Sequence, residues 1–189
     1  CAIQYKFYKD LEFSPVRQGA TLFGTLVHQT IEDIHKAALK GEEQKITSDN
    51  VENWFESNYK NLIRKERVYL APQTQIAALK QVKNYVDRQN NNWSHIKDAE
   101  VDVSLVKDNY VLKGTIDLVK GEDGSVDIID FKSEKKPDLV KEQERMYHYK
   151  RQLEVYAHLV EERTGQKVNN MHLYYTGEEN SNPYVTFKK

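Results

Sequence analysis

The chain has 189 residues, of which 39% are hydrophobic and 30% charged, which suits one globular domain with a real core and excludes a disordered chain. A formal net charge of −1 gives no global signature of nucleic-acid binding, so any such binding needs a local basic patch. The single cysteine excludes an internal disulfide and fits a reducing, cytoplasmic compartment, and no apolar run approaches a membrane span.

The opening "CAIQYKFYKD" is too polar for a signal peptide, and its first residue, Cys rather than Met, points to a piece of a longer protein. Residues 21–40 carry Leu22, Leu26, Ile31, Ile34 and Ala38 at helical spacing, with Gly41 as a stop. Residues 48–68 read as a second helix. Asp49 and Glu52 form a capping-box pattern there, ahead of a stripe of Val51, Trp54, Phe55, Tyr59, Leu62 and Ile63. Residues 73–93 read as a third helix, with Ile76, Leu79, Val82, Tyr85 and Val86 on its apolar side. The texture changes near Ala99: "AEVDVSLV", "YVLKGTIDLV" and "VDIIDFKS" read as strands. Residues 141–164 form a long helix ended by Gly165, and "NMHLYYT" and "PYVTF" close the chain as strands. No internal repeat or low-complexity tract appears. The order predicts an α/β chain with a mixed sheet and a helix crossing it, residues 42–96 being a helical elaboration on a single domain.

The stretch "GTIDLVKGEDGSVDIIDFKS", residues 114–133, carries two acids and a lysine among apolar residues. Asp123-Gly124 is a two-residue turn signal of type I′. Counting outward from it sets Glu122 opposite Ser125 and Asp117 opposite Asp130, on one face and roughly 5 Å apart. Lys132, two residues beyond Asp130, shares that face. A four-residue loop keeps this arrangement; a simple odd-length loop does not. Carboxylates that close repel unless one is protonated or a cation lies between them. A lysine offers one positive charge and a divalent ion two, and hard oxygen donors suit Mg²⁺ or Mn²⁺. The plain alternative is a salt-bridged outer sheet face. Ile128, Ile129 and Phe131, however, make both faces of the strand apolar, which predicts a central, buried strand where charges need a purpose.

These residues resemble the PD-(D/E)XK nuclease superfamily in its RecB-like branch. The family's acid at the end of one strand matches Asp117 in "GTIDLV", and its acid-x-Lys matches Asp130-Phe131-Lys132. Its G-x-x-x-H helix matches Gly24 to His28, and its Q-x-x-x-Y helix matches Gln152 and Tyr156. The opening "CAIQYKFYK" resembles the start of nuclease domains fused to UvrD/Rep-type helicases, with Ala2 in place of the usual proline. The resemblance covers Cys1 to about Thr176. It implies a restriction-endonuclease-like sandwich with a central mixed sheet and a helical insertion, the catalytic core lying at about 97–176. It also implies Mg²⁺- or Mn²⁺-dependent cleavage of DNA by a domain partnered with helicase domains of the same protein, in DNA repair or recombination. His28, Asp117, Asp130 and the Phe131 carbonyl become metal ligands, and Lys132 the catalytic lysine. Gln152 and Tyr156 support the site or contact DNA, and Glu100 resembles an acid on the first core strand. Some relatives hold a 4Fe-4S cluster through one early and three late cysteines. This chain has Cys1 alone, so no cluster is expected.

Two other readings remain at this point. A nuclease fold that has lost its chemistry could bind DNA or a partner, although Asp117, Asp130 and Lys132 are all retained. A zinc hydrolase could centre on His28 and His35, which share a helix face with Glu32, but no fourth ligand stands nearby. His35 and Glu32 are accordingly expected to be solvated or to support the site. Tyr147 to Arg151 mix aromatics with positive charge, which suits a nucleic-acid strand although half of them must face the core, and Lys132, Lys135 and Lys136 could equally hold phosphates or form an ordinary charged loop.

Overall fold

The first apolar stripe becomes α1 (Gly19–Leu39) in the computed structural model, which describes Ile3, Lys6 and residues 19–107, 110–122, 124–179 and 182–189. The rest of the opening stretch, Cys1 included, and Asp123 of the turn lie outside the described residues. A short 3₁₀ turn (Glu43–Lys45) leads to α2 (Ser48–Glu66) and α3 (Pro72–Gln89). Three strands follow, β1 (Ile96–Lys107), β2 (Tyr110–Glu122) and β3 (Ser125–Lys132), then α4 (Gln143–Thr164), β4 (Lys167–Tyr175) and β5 (Tyr184–Lys188).

The sheet order is β1-β2-β3-β4-β5, antiparallel except for the parallel pair β3–β4 that α4 connects. β3 is therefore the central strand, and its two apolar faces are both used. Ile129 and Phe131 enter the core under α1, α2 and α3, while Val126 and Ile128 enter the core under α4. This is the α/β sandwich with a mixed sheet that the element order predicts. The helices of residues 48–66 and 72–89 contribute Val51, Phe55, Leu62, Val82 and Tyr85 to the same core as Phe131. No described helix is long and apolar enough to cross a membrane.

Three local expectations need correction. The N-cap of α2 is Thr47, whose hydroxyl accepts from Asn50 N–H at 3.3 Å, and not Asp49. The N-cap lies two residues earlier than the capping box suggests, because a threonine hydroxyl there already meets the free donor. Ile76 is 67% exposed, because the buried stripe of α3 is Ala78, Val82 and Tyr85, and Ile76 points well away from it. His35 is not solvated but fully buried; its Nε2 lies 2.6 Å from the Tyr85 hydroxyl.

One irregularity shapes the sheet. Residues two apart in a regular strand point to the same face. Along β1, Val101 and Val103 face α4, yet Ala99 faces α1–α3; along β2, Ile116 faces α4, yet Leu118 faces α1–α3. The register sets Ala99 beside Leu118 and Val101 beside Ile116, so both strands reverse their facing at the same place, Glu100 and Asp117. Glu100 has φ +50°, a left-handed backbone that a glutamate adopts at a cost.

Candidate active site

The turn register is the expected one: Glu122 pairs with Ser125, and pairing continues to Leu118 with Ile129. Asp117 and Asp130 would be next, but the ladder ends before them. Instead Asp117 Oδ2 accepts the Phe131 backbone N–H at 2.6 Å. β2 and β3 part at this point, and Asp117 reaches into the opening.

Three elements aim side chains there. α1 brings His28, whose Nδ1 lies 3.7 Å from Asp117 Oδ2. Gly24, one turn earlier, lets the helix approach the end of β3: a Cβ there would lie 2.9 Å from Ser133 Oγ. The left-handed turn in β1 brings Glu100 to the same spot. His28, Glu100 and Asp117 each offer a ligand atom, all within 4.8 Å of one another. They line a cleft of about 410 Å³ together with Thr25, Gln29 and Glu32. Burial pushes the Asp117 carboxyl up to about 6; His28 opposes that push and the Asp130 charge adds to it. Burial, then the charges of Asp117 and Glu32, push Glu100 up to about 7. Two acids that resist ionisation beside an imidazole form a site that gains by accepting a cation.

Asp130 is 6% exposed, and Lys132 Nζ stands 2.5 Å from its Oδ2. Lys132 is thus the cation that offsets this buried carboxylate. The Lys132 ammonium also lies over the Tyr149 ring of α4, 4.5 Å from its centroid. The site thus straddles the sheet, with His28, Glu100 and Asp117 beneath α1 and Lys132 against α4. The Phe131 ring is buried among His35, Tyr85 and Tyr174, with centroids 5.7, 5.3 and 5.3 Å away. That packing fixes the backbone from which Asp130 and Lys132 project.

Gln152 and Tyr156 form a second group. Gln152 Nε2 donates to the Tyr156 hydroxyl at 2.8 Å. The Tyr156 ring lies on Gly114, three residues before Asp117; a Cβ at 114 would stand 2.4 Å from Cε1. Gly114→Ala should therefore destabilise the protein by about 1–3 kcal/mol, since ring or strand must move. A urea midpoint unchanged from wild type would show that the Tyr156 ring swings aside freely.

Two sequence expectations fare differently here. Lys136 donates to the backbone carbonyls of Asn182 and Tyr184, at 3.2 and 3.0 Å, so it braces the loop before β5. His35 takes no part in the cluster of His28, which recruits Glu100 and Asp117 instead. The contact of Tyr149 with Lys132 had no signal in the sequence, because nothing in a helical stripe tells which buried strand residue it covers.

The family model of the PD-(D/E)XK nuclease superfamily matches residues 1–186. The chain is also similar to a crystal structure from Eubacterium rectale described as a "putative exonuclease", at TM-score 0.55 and 15% identity. That likeness covers 98% of this chain and 65% of the other, so the chain spans about two thirds of its length. At that identity it shows a shared fold, a mixed sheet between helices. No curated protein matches the sequence.

Proposed function

We propose that this chain, which belongs to the PD-(D/E)XK nuclease superfamily, is a divalent-metal-dependent deoxyribonuclease domain of the RecB-like branch, joined in its full-length protein to helicase domains. The observation that carries this reading is the convergence of His28, Glu100 and Asp117 within 4.8 Å, beside the buried Asp130–Lys132 pair.

The donor set fits a Mg²⁺ or Mn²⁺ ion. Carboxylate and carbonyl oxygens are the hard donors such ions take, and a single borderline imidazole among them is accepted more readily by Mn²⁺ than by Mg²⁺. Asp130, paired with Lys132, adds a further carboxylate beside them. His28, Glu100, Asp117 and Asp130 would hold the ion, with the Phe131 carbonyl as the backbone donor. When bound, the ion supplies positive charge and Lewis acidity at a phosphoryl group. Lys132 presents its ammonium to the same group and stabilises the negative charge that grows on the phosphoryl oxygens. Phe131 N–H holds Asp117 in place. Gln152 and Tyr156 steady β2 through Gly114.

The test is incubation of the protein with end-labelled single- and double-stranded DNA in Mn²⁺, in Mg²⁺ and in chelator. Cleavage is expected with metal and none with chelator. Glu100→Gln should weaken Mn²⁺ binding by about tenfold or more, because a charged donor is lost, a change of about 1.4 kcal/mol per decade. Tight metal binding without cleavage would leave a nuclease fold that only binds. Cleavage that persists in chelator would overturn the reading.

A further inference from the structure

Lys132 is a flexible side chain with a fixed ammonium. Its side chain is 19% exposed, and its Nζ meets Asp130 on one side and the face of Tyr149 on another. A four-carbon stem has many rotamers, and one ion pair leaves most of them open. The aromatic face closes off the remainder, since a cation is drawn to the negative centre of the ring.

Tyr149 is itself held rigidly. Its hydroxyl accepts from Arg145 Nε at 3.2 Å and donates to Glu134 Oε1 at 3.4 Å. Arg145 ion-pairs with Glu134 and, at 2.9 Å, with Glu142. Glu134 lies two residues beyond Lys132, and its carbonyl accepts Gly177 N–H at 3.1 Å. The brace therefore ties the first turns of α4 to the very segment that carries the lysine. A ring needed for core packing alone has no use for this arrangement.

We infer that Tyr149 is a positioning residue for Lys132: its braced ring face confines the ammonium to the edge of Asp130, where it can meet a phosphoryl oxygen. The last clause rests on the nuclease reading; the confinement itself does not. Its effect on the chemistry is exerted through Lys132.

The test compares Tyr149→Leu, which removes the aromatic face, with Tyr149→Phe, which keeps it. In protein with labelled lysine and no metal, the Lys132 Hε and Cε signals, assigned by their loss in Lys132→Arg, should be shifted upfield by the ring. The shift should persist in Tyr149→Phe and vanish in Tyr149→Leu. With DNA and Mn²⁺, Tyr149→Leu should lower kcat roughly tenfold at unchanged KM and Mn²⁺ affinity. Tyr149→Phe should stay within about twofold of wild type, because the brace is secondary to the face. Arg145→Gln, which leaves the ring and loosens its brace, should move both readouts in the same direction by less, and serves if Tyr149→Leu does not fold. An unshifted Lys132 signal in wild type overturns the confinement. Equal losses in Tyr149→Phe and Tyr149→Leu assign the effect to the hydroxyl and overturn it too. If wild type cleaves nothing, the nuclease reading fails while the spectra still decide the contact.

Discussion

Lys132→Ala should lower kcat for phosphodiester cleavage by about 10²–10⁴-fold, with Mn²⁺ affinity unchanged or higher. The ammonium lies 2.5 Å from Asp130 Oδ2, so without metal it serves as that carboxylate's cation. Removing it takes positive charge from the phosphoryl group and at the same time frees Asp130 for an ion. The two effects run in opposite directions, which makes the variant informative. It also strands a buried carboxylate, so the metal-free variant should melt below wild type, by up to about 3–5 kcal/mol if the acid stays ionised. Added Mn²⁺ should recover most of that loss by mass action. Calorimetric titration beside single-turnover cleavage reads both sides. Full activity in the variant would sink the role given to the lysine. Weakened Mn²⁺ binding would mean instead that Lys132 is needed to orient Asp130.

Asp117→Asn should abolish cleavage, by about 10²-fold or more, yet stabilise the metal-free protein at pH 8 by about 1–2 kcal/mol. Burial holds the Asp117 carboxyl at about 6 and Glu100 at about 7, both above their ordinary values. A raised acid binds its proton more tightly folded than unfolded, so the folded protein retains protons that the unfolded chain has released. Stability from these groups is greatest below about pH 4 and falls as pH rises through about 7. Asparagine keeps the volume and the acceptor for Phe131 N–H and removes the charge. Its advantage should shrink as the pH is lowered toward 4, and the fall in stability with rising pH should flatten. Asp117 is also the next cause after burial of the shift at Glu100, so that group should ionise more easily in the variant. Mn²⁺ should raise the melting temperature of wild type and barely move the variant. Melts at pH 5 and pH 8, in chelator and in excess Mn²⁺, separate the cases. A variant that melts lower at pH 8, with no metal shift in wild type, would reduce these acids to scaffolding.

The features legible in the sequence are local ones. The turn fixed a two-residue count, and the register from Glu122–Ser125 to Leu118–Ile129 follows it. The apolar run around Asp130 announced a central strand, and β3 occupies that place. Periodicity cannot see where a ladder stops, so the parting of β2 and β3 ahead of Asp117 and Asp130 was hidden. Glutamate carries no mark of a left-handed backbone, which is why the turn at Glu100 was invisible although the acid itself was noticed. The burial of His35 is hidden because its partner, Tyr85, lies 50 residues away. A histidine beside an apolar stripe shows its burial only when the facing helix is known. Tyr149 was hidden for the same reason: its value comes from Lys132, on another layer.

The paired reversal at Glu100 and Asp117 also constrains how the hairpin can assemble. An ordinary antiparallel ribbon can slide by two residues and keep every side chain on its own face. β1 and β2 cannot, because each exchanges faces once and the two exchanges coincide in a single alignment. In any slipped pairing one strand would turn its apolar residues outward over the interval between the two exchange points. The irregularity that gathers Glu100 and Asp117 thus acts as an alignment key, selecting one pairing from the neighbouring ones while the chain is still folding. A sequence that straightened the ribbon would lose the gathered acids and gain a choice of misaligned partners.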